Sequence, residues 1–219
     1  MSELQRQRIG NLLLWFQIIC AIIFATSQAL KMLESTQGVS LAFFICHGIF
    51  ALLNLSLSVV ALSESVGSDR KLKKQSVLIY AMWTAFLVVH LTIAMWKMPD
   101  LWKYTDTLAM TAVLIGVLVT VAVAKAKHLS LLDPYVKAGL AVFFKSVPQV
   151  ALAYSISVYG KGGLSGIWIV FGHITILTRL VHLWVSNREQ WNRNTKGSFV
   201  SEVWNEVSWL AASAAWLAY

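Results

Sequence analysis

Apolar residues in this chain fall into seven blocks, each about 20 residues long, separated by short polar stretches. A helix of about 20 residues rises roughly 30 Å, the thickness of the hydrocarbon core of a bilayer. The blocks predict membrane spans over about 10–31, 40–62, 76–97, 105–125, 138–159, 165–186 and 199–219. Backbone groups in lipid must find their hydrogen-bond partners within their own segment, so the fold class is an all-α helix bundle, a polytopic membrane protein. The spans occupy nearly all of the 219 residues and are expected to form one transmembrane domain. The first block is longer than the apolar core of a signal peptide and is interrupted by Gln17 and Gln28, so it reads as a retained helix.

Composition agrees. The chain is 58% hydrophobic and 13% charged, against roughly 45–50% and about 25% in soluble domains. That excludes an ordinary soluble enzyme, a disordered chain and a nucleic-acid-binding module. The two cysteines, Cys20 and Cys46, lie inside apolar blocks and read as small buried hydrophobes rather than a disulfide framework.

The net charge of +8 carries topology. Arg6, Arg8, Arg70, Lys71, Lys73, Lys74, Lys125, Lys127, Lys137, Arg188, Arg193 and Lys196 fall on one side of the seven spans; Lys31, Lys97, Lys103 and Lys161 fall on the other. Lys and Arg accumulate in cytoplasmic loops, which predicts a cytoplasmic N-terminus and an outside C-terminus. Trp15, Trp83, Trp96, Trp102, Trp184 and Trp191 lie near predicted span ends, where amphipathic rings favour the headgroup layer.

Two stretches echo one another. Gln28 is followed by Gly38-Val39-Ser40-Leu41 and then His47-Gly48; Pro148-Gln149 is followed by Gly163-Leu164-Ser165-Gly166 and then Gly172-His173. Ser before an apolar run is also a plain helix N-cap, but the shared order suggests a repeat: about 10–97, a linker helix at about 105–125, and about 138–219. Residues 107–124 are nearly featureless, as a linker facing lipid should be. The three-plus-one-plus-three layout, the Pro148-Gln149 pair and the Gly-x-Ser helix starts resemble the PQ-loop superfamily, which includes the SWEET sugar transporters. The resemblance implies a transporter built from two helix triples around a midplane site where Asn and Trp hold an uncharged ligand. The SWEET transporters are generally placed with the N-terminus outside, opposite to the orientation the loop charges predict here.

Polar residues inside spans are costly and so mark function or helix–helix contacts. Positions seven apart share a helix face. Ser40, His47 and Asn54 keep that spacing, as do Ser76, Trp83 and His90; Glu202, Asn205, Glu206, Trp209 and Ser213 form one stripe, and Thr175, Arg179 and His182 another. Gln17 and Gln28, eleven apart, return to one face of the first span. The repeat helices thus carry polar faces, which predicts a shared polar interior. The candidate substrate lining is Asn54, Trp83, His90, Gln149, Asn205 and Trp209. Lys145, Arg179 and Glu206 each lie seven residues from the end of a predicted span, roughly 10 Å deep at 1.5 Å per residue. They are the candidates for a charge cluster or gate, with snorkelling of the two cations as the alternative. Pro148 removes a backbone hydrogen bond within its span, a feature of the bent helices around transporter sites.

The function expected from this pattern is small-solute transport, with the lipid bilayer and a small polar solute as partners. The alternative is a non-catalytic subunit or channel component of a larger membrane assembly, with partner subunits or further copies of itself. An enzyme is not expected. The five His (His47, His90, His128, His173, His182) offer no i,i+4 pair for a metal, and no cofactor or metal is predicted. A retinal receptor would need a Schiff-base Lys in the last span, and residues 199–219 contain none.

Overall fold

The computed structural model describes residues 3–97, 102–131, 133–187 and 191–219; Arg188, used above for orientation, lies outside them. The described residues form seven α-helices: α1 (Glu3–Glu34), α2 (Leu41–Ser63), α3 (Gly67–Lys97), α4 (Tyr104–Ala126), α5 (Pro134–Tyr159), α6 (Gly166–Asn187) and α7 (Arg193–Ala218). Six are long and apolar enough to cross a membrane, α1 to α6 in order. The chain is a helical, multi-pass integral membrane protein.

α7 falls short of that standard for a reason visible in its packing. Its polar residues are turned inward: Ser201, Glu202, Asn205, Ser208 and Ser213 are buried, while Val203, Trp204, Val207, Leu210 and Leu217 are exposed. The same inversion holds on α4, where Leu114, Ile115, Leu118 and Val119 stand outward. An apolar exterior around a polar interior suits lipid as the surrounding solvent.

Six helices form a ring in the order α1, α6, α7, α5, α2, α3 and back to α1. Within each group of three consecutive helices, the third lies between the first two: α3 touches α1 and α2, and α7 touches α5 and α6. α4 stands outside the ring against α5 and α2. It is not the uniformly lipid-facing helix expected from its sequence. Gly116 admits Phe143, Gly139 admits Thr120, and Asp106 is fully buried.

Both echoed Ser residues are N-caps: Ser40 accepts from Phe43 N at 3.2 Å and Ser165 from Trp168 N at 3.3 Å. Each cap is held from another helix. Asp106 accepts from Ser40 Oγ (2.7 Å) and Ala42 N (3.0 Å). Gln28 donates to Gly163 O (2.9 Å) and accepts from Ser165 N (3.0 Å). Gly163 N in turn donates to Gln37 O at 2.8 Å, so the α1–α2 and α5–α6 loops are tied together. Gly38 sits in this tie with φ of 77°, and a Cβ there would meet Gly160 O. Gly38→Ala is expected to lose at least ~1–2 kcal/mol from the left-handed backbone alone. Thermal unfolding should register it against Gly48→Ala, whose Cβ would have only Leu91 Cδ1 within 4.0 Å.

Candidate functional site

The ring encloses a cavity of about 120 Å³ lined by all six ring helices and by no residue of α4. At its end toward the tied loops lies a layer of aromatic rings. Trp168 and Trp209 meet at 4.7 Å between centroids, Phe24 lies 5.4 Å from Trp168 and 5.5 Å from Trp83, and Phe43 lies 5.5 Å from Trp168. The Trp209 indole N–H donates to Ile169 O at 2.9 Å, and Gly172 leaves room for that ring, so the large side chain is buried without an orphaned donor.

The polar wall comes mainly from α5, α6 and α7. Lys145 Nζ lies 2.7 Å from Glu202 Oε1, and Arg179 Nε lies 3.1 Å from the same oxygen. Asn205 Nδ2 donates to Glu202 Oε2 at 3.0 Å, Gln149 Nε2 donates to Asn205 Oδ1 at 2.8 Å, and the Ser208 hydroxyl donates to Gln149 Oε1. The direction is dictated by chemistry. A carboxylate only accepts, so Asn205 must present its NH₂ to Glu202 and its oxygen to Gln149. The chain of amides therefore polarises toward one carboxylate, each bond strengthening the next. Lys145 and Glu202 are 7% and 4% exposed; Arg179, at 29%, is the most exposed of the three, with Tyr80 OH 3.4 Å from its Nη2.

No family model, curated protein or solved structure matches this chain.

Trp83, His90, Gln149, Asn205 and Trp209 line the cavity together, as do Lys145 and Arg179. Trp83 is therefore a wall residue rather than a headgroup anchor. Two candidates fall elsewhere. Asn54 lies one turn past Ala51, the last α2 residue of the wall, and spends its amide on Phe50 O of its own helix at 2.8 Å. Glu206 does not join the two cations; Glu202, one turn earlier on α7, takes that place. Glu206 Oε1 instead meets His173 Nδ1 at 2.6 Å, with Ser213 Oγ 2.7 Å from His173 Nε2, between α6 and α7.

Sequence reasoning passed over Glu202, Gln17 and Thr175 as wall residues although each sits in a noted polar pattern, and it had no signal for Tyr80, Phe24 or Phe43. The two histidines on the wall are each fixed by a carbonyl: His47 Nδ1 donates to Phe43 O at 2.8 Å and His90 Nδ1 to Phe86 O at 2.6 Å. Among the described residues no cluster of three or more His, Cys, Asp or Glu could hold a metal ion. Cys20 and Cys46 are buried free thiols.

Proposed function

We propose that the protein is a small-solute transporter in which two helix triples, α1–α3 and α5–α7, share one central binding site, with α4 as the linker and α7 as a seventh span. The observation that carries this reading is the cavity: all six triple helices contribute to it and α4 does not. The contact pattern supports it. Exchanging α1, α2 and α3 for α5, α6 and α7 turns each neighbouring pair in the ring into another neighbouring pair. A pseudo-symmetric pair of triples around a midplane site can rock to expose that site to either face. The closure of one end by the loop tie and the aromatic layer is what one limb of such a cycle requires. These features also suit the resemblance to the PQ-loop superfamily.

Uptake into proteoliposomes of a panel of carboxylates, sugars, amino acids and nucleosides tests the reading. Asn205→Ala is expected to lower uptake at least tenfold while Asn54→Ala, off the cavity, stays within twofold of the parent. No uptake of any solute by protein that still unfolds cooperatively would favour a non-catalytic subunit of a larger assembly. The loop charges orient the molecule with the N-terminus in the cytoplasm, so the tied loops face outside. A cysteine at Gln5 should react with an impermeant maleimide only from the cytoplasmic side and one at Tyr219 only from outside; the reverse pattern overturns the orientation.

A further inference from the structure

We infer that the solute is a small organic monoanion, a compact monocarboxylate, received by the guanidinium of Arg179. Its passage across the membrane rests on the transport reading; its binding does not.

Three strongly basic or acidic side chains meet on the cavity wall: Lys145, Arg179 and Glu202. The other titratable liners are Tyr80, His47 and His90. A neutral imidazole with its proton on Nδ1 accounts for the carbonyl bond each histidine makes. Glu206 is turned to His173 and is not part of the wall. The wall therefore holds two basic groups and one acidic group. With both basic groups protonated and the histidines neutral, one positive charge is unmatched inside a hydrocarbon-like interior, which is strongly unfavourable, and a bound monoanion would match it.

The geometry says which cation is available. Lys145 and Glu202 are buried against one another. Arg179 is the most exposed of the three; its Nε is ion-paired with Glu202, and one Nη2 hydrogen of a fork with five goes to Tyr80 OH. The remaining hydrogens suit a carboxylate, which a guanidinium can grip with two parallel bonds. Size and polarity narrow the body of the ligand. A cavity of about 120 Å³ is comparable with the ~150 Å³ cavity that admits benzene. Its opposite wall is aromatic, from Phe24, Trp83 and Trp209. A sugar would need a partner for each hydroxyl, yet the amides of Gln149 and Asn205 are already committed to one another and to Glu202.

Titration calorimetry on the detergent-solubilised full chain, with isobutyrate and its neutral isostere isobutyramide, tests the inference. Isobutyrate should bind saturably, at least tenfold more tightly than the amide, and millimolar chloride should not displace it. R179Q should weaken isobutyrate at least tenfold without changing the amide. R179K, which keeps the charge and lacks the fork, should also weaken it and serves if R179Q fails to fold. Equal binding of acid and amide, displacement by chloride, absence of binding, or undiminished binding by both variants would overturn the assignment. Uptake of a neutral solute without carboxylate binding would sink the anion assignment and leave transport standing; carboxylate binding without uptake of any solute would do the reverse.

Discussion

Glu202→Gln is expected to destabilise the protein more than any other single charge-neutralising change in the cavity wall, by about 3–5 kcal/mol, the usual cost of removing one partner from a buried ion pair. Both cations converge on Glu202 Oε1, at 2.7 and 3.1 Å, and Asn205 donates to Oε2. A neutral glutamine leaves Lys145 and Arg179 facing each other without their shared anion and presents an NH₂ group where an acceptor is needed. Glu206→Gln should cost less, because its partner is a histidine that can be neutral and the pair is more open, at 22% and 15% exposure. Lys145→Met combined with Glu202→Gln should recover part of the loss, since it removes the uncompensated buried cation. Melting temperatures in one detergent, measured for the parent, both glutamine variants and the double variant, decide it. A Glu202→Gln protein that melts with the parent, or a double variant in which the two effects simply add, would show that the cluster is not coupled.

Glu202 rather than Glu206 holds the cations because hydropathy marks where lipid begins, not where a helix begins. On one face of the bundle the helices start earlier than the apolar blocks, at Glu3, Gly67, Pro134 and Arg193 rather than at about 10, 76, 138 and 199. Their polar first turns project beyond the apolar stretch, and depths counted from hydropathy edges carry that offset. On α7 it displaced the choice by one turn, within a stripe that contains both glutamates. Asn54 was lost for a different reason. A seven-residue stripe drifts about 20° per heptad on a straight helix, so a line drawn from Ser40 through His47 has turned by roughly 40° at Asn54. The number of blocks, the helical class and the convergence of Gln149, Asn205, Trp209, Lys145 and Arg179 were legible because burying a polar group in lipid is costly enough to leave a pattern in one chain. The aromatic wall was not legible: Phe24 and Phe43 look the same in sequence whether they face lipid or a cavity. Only the ring of helices distinguishes the two.

The second large effect is expected at the tied loops. Gln28 is fully buried and belongs to α1, yet both ends of its amide serve the start of α6: Nε2 donates to Gly163 O and Oε1 accepts from Ser165 N. Gln28→Leu keeps the volume and orphans a buried acceptor and a buried donor, each worth about 1–3 kcal/mol when left unsatisfied. The position of this tie gives the loss a second consequence. α1 and α6 belong to different triples, and moving the triples apart at the loop face must break the same two bonds. If that separation is part of the transport cycle, Gln28→Leu destabilises the state closed at the loops more than one opened there, and the loops should open more often. Val39, wholly buried in the tie, is the reporter. In protein whose two native cysteines are replaced by Ala, Val39→Cys should react slowly with an impermeant maleimide and at least tenfold faster once Gln28→Leu is added. A lower melting temperature with unchanged labelling would make Gln28 a strut that holds the α6 start in place and would remove the loop tie as a gate.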